Sequence, residues 1–167
     1  MFELKLLSHE GVPGALAKAE RYRLLNQPWE AECIYRDVLQ VDPDNQDATI
    51  GLVLSLTDQF DSGSTAILPR AREALHGLRD EYQRAYHAGI ICERRARALL
   101  HGARPGSAAM AHELLLEAKA LYEQAEALRP PGNDDVLLRW NACARLLMRH
   151  PQAVAVTSEP FYPYADS

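Results

Sequence analysis

The chain lacks long uncharged runs and has few β-branched residues. The longest stretch without a charged side chain in its 167 residues is 48–57, about half of the roughly 20 residues that a membrane-spanning helix needs. Valine and isoleucine number 7 and 5, against 25 alanines and 24 leucines, a balance that favours helices and disfavours an all-β domain. An acidic residue, Glu3, interrupts the N-terminus early, so we expect no secretory signal, no membrane contact and a cytoplasmic protein.

Cysteine and the common catalytic motifs are also scarce. Cys33, Cys92 and Cys143 are scattered and form no CxxC pair, which is typical of small buried apolar residues. The chain has no glycine-rich phosphate loop, no HExxH and no serine elbow. Glu73-x-x-His76 has no second ExxH with which to build a di-iron site, so we interpret it as a surface pair. We therefore expect no catalytic residues, no metal, no cofactor and no enzymatic activity.

What is present is helical periodicity. Hydrophobic residues make up 47% and charged residues 25% of the chain, as in a globular protein. Proline, glycine and Asx residues divide residues 1–150 into segments in which apolar residues recur with the period of an α-helix. This pattern predicts an all-α domain of about seven antiparallel helices, which start near Pro13, Pro28, Gln46, Ile67, Tyr82, Ser107 and Val136. We expect Ser107 to cap the sixth of these helices.

The last segment, 151–167, differs from the rest. It ends in Phe161, Tyr162 and Tyr164, which alternate with prolines that favour an extended chain. Two interpretations remain open: residues 160–164 pack on a helical surface of this chain or of a neighbouring copy, or they form a disordered terminus.

Two segments 87 residues apart share one pattern, in which an alanine is followed by an aromatic residue, a small apolar residue and a helix-ending proline. The first copy consists of Ala31, Tyr35, Val38 and Pro43. The second copy consists of Ala118, Tyr122, Ala125 and Pro130. The small residues let neighbouring helices approach closely, and the aromatic ring fills the gap between them. Both copies continue through Asn and Asp into another helix, as stacked helical hairpins require.

This pattern resembles the tetratricopeptide repeat (TPR). Ala19 and Tyr22 occupy the small and aromatic positions of the family's first helix, whereas Ala15 and Lys18 replace its Trp and Leu. The spacing of 87 residues is not a multiple of the family's 34, so the resemblance implies insertions in the middle hairpin. It also implies a right-handed solenoid whose first helices line a peptide-binding groove.

The resemblance implies a protein–protein interaction module, such as a scaffold, adaptor or assembly factor that binds a protein or peptide. Glu20 and Arg23 are expected on the groove side of the first helix. The family's Lys/Asn clamp for chaperone tails corresponds here to Leu16 and Glu20, so that ligand class is not expected. Small bacterial TPR secretion chaperones of similar length are an alternative within the family, and a purely structural homo-oligomer is another alternative.

Basic residues are concentrated in the middle of the chain. The net charge is −6 over residues 1–69, +4 over 70–104 and −3 over 105–167. Arg84, Arg94 and Arg95 are candidates for a patch that docks an acidic protein segment, because guanidinium groups bind carboxylates bidentately. A solvated helix face with local pairs such as Glu93–Arg97 is the alternative. The acidic flanks disfavour nucleic acid, although an anion- or nucleic-acid-binding domain stays open as a further class.

The last helix contains one more candidate. Asn141 interrupts an apolar run, and a buried Asn must be hydrogen-bonded. We expect its amide to bind a preceding loop or helix end or, alternatively, the backbone of a bound peptide.

Overall fold

The computed structural model describes residues 1–151, and all of the regular secondary structure in this part of the chain is helical. The seven α-helices are α1 (Val12–Leu24), α2 (Pro28–Val41), α3 (Gln46–Thr57), α4 (Ile67–Ala74), α5 (Glu81–Gly102), α6 (Ser107–Leu128) and α7 (Asp135–Arg149). The predictions of an all-α fold and of seven helices are confirmed for these residues. The predicted behaviour of the C-terminal tail concerns residues outside the described part.

The helices begin where the local sequence predicts, with one correction. Pro13 and Pro28 lie in the first turns of α1 and α2, where a missing N–H group costs nothing. The Asn45 side chain caps α3 by accepting a hydrogen bond from the Ala48 N–H at 2.9 Å. Ser107, however, is the first residue of α6 and does not cap it, because Gly106 takes the capping position with φ +77°. The Ser107 hydroxyl is therefore not used in capping.

Successive helices pack against each other, and the odd-numbered helices also contact one another in series. Contacts join α1 to α3, α3 to α5 and α5 to α7. The C-terminal ends of α1, α3 and α5 meet on one side, where Arg23, Asp58 and His101 line one cleft. Within residues 1–151, no helix combines the length and the apolar character that crossing a membrane requires.

The core consists of two clusters. The N-terminal cluster comes mainly from α1–α4, and the C-terminal cluster from α5–α7. The repeated motif supplies buried residues to both, including Ala31 and Ala118. Each motif tyrosine packs against a glycine of a neighbouring helix: a Cβ atom on Gly51 would lie 2.2 Å from Tyr35 Cζ, and one on Gly89 would lie 2.4 Å from Tyr122 Cε1. These two contacts need glycine because any side chain would overlap the ring.

Candidate functional site

The first feature of the candidate site is a carboxylate held by two arginines where α1, α3 and α5 meet. Asp58 directly follows α3. Arg23 Nε donates a hydrogen bond to Asp58 Oδ2 at 2.8 Å, and Arg94 Nη1 donates to Oδ1 at 2.5 Å. Arg94 also donates to Thr57 Oγ1 at 2.7 Å. One carboxylate thus fixes guanidinium groups from two helices at the end of a third.

A second carboxylate repeats this arrangement between α5 and α7. Glu93 is completely buried. Its Oε1 accepts hydrogen bonds from Arg97 Nε at 3.1 Å and from Arg139 Nη1 at 3.4 Å, and its Oε2 accepts one from the Tyr122 hydroxyl at 2.7 Å. The carboxylate is therefore satisfied on both oxygens, as a buried charge requires.

Together these groups form an arginine row, which we define as Arg23, Asp58, Arg94, Glu93, Arg97 and Arg139. Four guanidinium groups face two carboxylates, so the row carries an excess of two positive charges. The arginine side chains keep between 20% and 41% of their surface exposed, whereas Glu93 keeps none. Glu93 therefore lies beneath its arginines, whereas Asp58 is as exposed as the arginines that it binds.

The pKa of Arg94 reflects this crowding of positive charge. Burial lowers the pKa of the Arg94 guanidinium, and the charges of Arg139 and Arg23 act in the same direction against the opposing effect of Asp58. Burial also acts to lower the pKa of Arg139, but the charge of Glu93, together with a hydrogen bond to Tyr86 and the influence of Tyr122, outweighs it, and the net change is upward. An additional anion near Arg94 would relieve the repulsion among these arginines.

Two clefts adjoin the arginine row. The first, of about 400 Å³, lies between α1 and α3 and is lined by Leu16, Ile50 and Leu54 together with Arg23. The second, of about 290 Å³, lies at the C-terminal ends of α1, α3 and α5 and includes Arg23, Arg94 and Arg97. We call this surface of the odd-numbered helices, with its two clefts and the arginine row, the odd-helix face. It places one partly apolar cleft, which Glu20 and Asp47 also line, and one mainly polar cleft beside partly exposed arginines.

Three of the predicted partner-binding residues, Glu20, Arg23 and Arg94, lie on this face. Glu20 and Arg23 both line the first cleft, together with Tyr35 of α2. Glu20 is exposed, whereas Arg23 is half-buried by its ion pair with Asp58.

The arginines predicted to form one patch are separated in the structure. Arg94 belongs to the arginine row, Arg95 lines a different cleft with Phe60, and Arg84 is exposed beside Gln124. Arg94 and Arg95 diverge because consecutive residues of a helix point about 100° apart. Other arginines of the basic segment are held by acids, such as Arg70 by Glu32 and Arg79 by Asp44. The expected single docking patch is therefore corrected to several separate positions.

Asn141 is corrected as well. It lies on the exposed side of α7, so its amide can be satisfied by water and needs no protein partner. Its neighbours in the apolar run, Cys143 and Val136, point into the C-terminal cluster instead.

The sequence analysis did not identify Asp58, Arg139 or the second role of Glu93. The i, i+4 spacing of Glu93 and Arg97 indicates their ion pair, which the structure confirms. Arg139, however, is 46 residues from Glu93, and no local pattern indicates that contact.

The Glu73–His76 pair lies at the surface, as predicted. The distance from His76 Nδ1 to Glu73 Oε2 is 3.4 Å, and both side chains are exposed.

Among residues 1–151, no group of three or more His, Cys, Asp or Glu side chains is arranged to hold a metal ion. Comparison of the chain with models of protein families, with curated protein sequences and with solved structures gives no match.

Proposed function

We propose that the protein is a protein–protein interaction module, without catalytic activity, that binds an acidic and partly apolar segment of a partner along the odd-helix face. The arginine row carries this proposal. Its four guanidinium groups are fixed by Asp58 and Glu93, yet they keep exposed surface and an excess of two positive charges.

The chemistry of the face favours carboxylates over other anions of a partner. A guanidinium group has five N–H donors in a planar fork that fits a carboxylate with two parallel hydrogen bonds. Asp58 and Glu93 use only one or two donors of each arginine. The remaining donors are available to glutamate or aspartate side chains of a bound segment, and fixing the arginines in advance lowers the entropic cost of binding.

The clefts supply the apolar part of the interaction. Leu16, Ile50 and Leu54 line the first cleft beside Arg23, so an apolar side chain of the partner can be buried within reach of the row. This combination matches a short segment in which acidic and aliphatic residues alternate.

We also propose that the helices form a TPR-like right-handed solenoid. The contacts between successive odd-numbered helices and the two tyrosine–glycine contacts support this arrangement. In such a solenoid the odd-helix face corresponds to the groove that binds peptides.

The function can be tested with a fluorescein-labelled peptide of eight residues, in which pairs of glutamates alternate with pairs of leucines. Binding of the peptide to the protein is measured by fluorescence anisotropy. The double variant R23Q/R139Q removes two positive charges of the row, and the double variant R21Q/R145Q removes two exposed arginines from the same helices as a matched control. We expect R23Q/R139Q to weaken binding at least tenfold, because each charged hydrogen bond contributes about 1.5–3 kcal/mol. The control should bind like the wild type.

A peptide with glutamine in place of glutamate completes the test. It should bind the wild-type protein much more weakly than the acidic peptide does. Equal binding of the two peptides, or equal loss in both double variants, would contradict the proposal. A salt titration separates this function from nucleic-acid binding, because phosphate-backbone binding of a single-stranded oligonucleotide would exceed peptide binding and fall log-linearly with salt.

A further inference from the structure

A third cleft lies outside the arginine row, between the C-terminal half of α5, the turn Phe60–Ser62 and the N-terminus of α6. Its volume is about 420 Å³, and its lining includes Arg95, His101, Arg104 and Ser107. It adjoins the second cleft at His101 and Phe60 but contains no residue of the arginine row. We propose that this cleft binds a phosphate monoester.

Within residues 1–151, the positive groups of the cleft are not neutralised by ion pairs. Neither Arg95 nor Arg104 forms an ion pair with any residue from 1 to 151, in contrast to Arg94 and Arg97 on the same helix as Arg95. Asp61 also lines the cleft, but its one negative charge is outweighed by the two arginines. The cleft therefore attracts an anion, and a dianion most strongly.

The N-terminus of α6 supplies backbone donors. The helix has 22 residues, and its capping residue Gly106 has no side chain with which to satisfy the first amide groups. The N–H of Ser107 donates to the Arg104 carbonyl oxygen at 3.0 Å, and the N–H of Met110 donates to the Gly106 carbonyl oxygen at 3.3 Å. The amides of Ala108 and Ala109 have no such partner in the described chain. Free amides at the positive end of a helix dipole bind phosphate groups.

Ser107 adds a hydroxyl donor to the cleft. The residue lines the cleft, and its hydroxyl makes no hydrogen bond with another residue from 1 to 151. Gly106, not Ser107, caps the helix. The hydroxyl is therefore free to donate a hydrogen bond to a phosphate oxygen at the helix N-terminus.

The apolar part of the lining explains why an ester is proposed. Phe60, Ala98 and Leu99 line the cleft together with the donors, and the volume exceeds what a phosphate group alone would fill. A phosphate attached to an aromatic or aliphatic group would place its charge on Arg95, Arg104 and the α6 amides, with its apolar part against Phe60 and Leu99.

Isothermal titration calorimetry with phenyl phosphate and with inorganic phosphate tests this site in the full-length protein. We expect both to bind, with phenyl phosphate at least fivefold tighter because its ring meets the apolar wall. R95Q and R104Q should each weaken phenyl phosphate about tenfold, and S107A several-fold. R84Q removes an exposed arginine of α5 in another cleft and should leave binding unchanged.

Nuclear magnetic resonance provides a readout that does not depend on variant stability. Phenyl phosphate should shift the amide resonances of Ala108 and Ala109 more than those of other α6 residues. No binding of either compound at 10 mM, binding that R95Q and R104Q leave unchanged, or shifts confined to residues outside the cleft would each overturn the proposal. Because the peptide assay uses other residues, either proposal can fail while the other stands.

Discussion

The two halves of the molecule each contain a buried glutamate with two arginine partners, but they place it in different surroundings. Glu32 in α2 binds Arg36 one turn ahead, Arg70 of α4, and Gln59 at 2.8 Å. Glu93 in α5 binds Arg97 one turn ahead and Arg139 of α7, with Tyr122 as its third partner. In both halves the glutamate forms an ion pair with an arginine four residues later in the same helix. The difference is in the third partner, which is a polar side chain in one half and a buried aromatic residue in the other.

The motif tyrosines show the same difference. Tyr122 is completely buried, and its hydroxyl donates to Glu93; burial, followed by the charge of Glu93, raises its pKa strongly. Tyr35 lines the open first cleft, and within residues 1–151 its hydroxyl has no hydrogen-bond partner. One repeated motif thus produces a buried ring whose hydroxyl is hydrogen-bonded in the C-terminal cluster, and a buried ring that borders the first cleft in the N-terminal cluster.

The largest difference should come from neutralising the two glutamates. We expect E93Q to lower the free energy of unfolding by about 3 kcal/mol, because it leaves Arg97 and Arg139 without their buried counter-charge. E32Q should cost only about 1 kcal/mol, because Arg36 and Arg70 are nearly half exposed and can be solvated. Urea denaturation followed by circular dichroism measures both values.

Equal costs for E93Q and E32Q would mean that the two networks are equivalent despite their different burial. The variant Y122F sharpens the result, because it removes the aromatic hydroxyl without removing the charge of Glu93 and should cost less than E93Q.

The next difference concerns the two glycines. G89A should destabilise the protein by about 2 kcal/mol, because Tyr122 is enclosed and cannot move away from the added methyl group. G51A should also destabilise the protein, since the added methyl group would overlap the buried Tyr35 ring. We expect a smaller loss than in G89A, because Tyr35 borders the first cleft, into which its ring can partly shift. Thermal unfolding of the two variants makes the comparison, and a larger loss in G51A would contradict it.

The smallest expected effect is a pH dependence in the C-terminal half. His87 is buried, with Nδ1 2.8 Å from the Gln83 carbonyl oxygen. Burial lowers its pKa, the Gln83 hydrogen bond opposes this, and the charges of Arg94 and Arg139 lower it further. The folded state therefore binds this proton less readily than the unfolded state does.

The direction of the pH dependence follows from the difference in proton binding between the folded and the unfolded state. As the pH falls below about 6.5, the unfolded chain takes up a proton at His87 that the folded protein excludes, so stability decreases. The contribution of Glu32 is lost only at lower pH: burial acts to raise its pKa, but the hydrogen bonds from Gln59 and Arg36 and the charge of Arg70 outweigh it, so the net change is downward. Urea titrations between pH 7 and pH 5 should show a flatter pH dependence in H87Q than in the wild type. Identical slopes would contradict this account.

Most of the helical structure could be predicted from the sequence because its signals are local. Prolines at the starts of α1 and α2, the Asn45 cap and the 3.6-residue period each act within a few residues. The local signal fails by one position at α6, where Gly106, in the left-handed region, occupies the capping position that serine usually takes and Ser107 is the first helical residue.

The candidate site was only partly predictable because its contacts are distant in sequence. Arg23 was expected on a binding face, but its partner Asp58 is 35 residues away. The net charge of residues 70–104 predicts a single basic patch. In the structure Arg94 and Arg95 line different clefts, because consecutive residues of a helix point in different directions. Net charge describes a segment, and the direction of each side chain depends on the tertiary packing of its helix.

The lengths of α5 and α6 have a consequence for the order of folding. These two 22-residue helices are joined by only four residues, 103–106, of which Ala103 and Gly106 adopt left-handed backbone conformations. Closing so short a loop costs little chain entropy, and contacts between residues near in sequence form fastest. We therefore expect this hairpin to form in the folding transition state, with α1–α4 condensing on it afterwards. During translation the ribosome releases α1–α4 first, so the order of folding would run opposite to the order of synthesis.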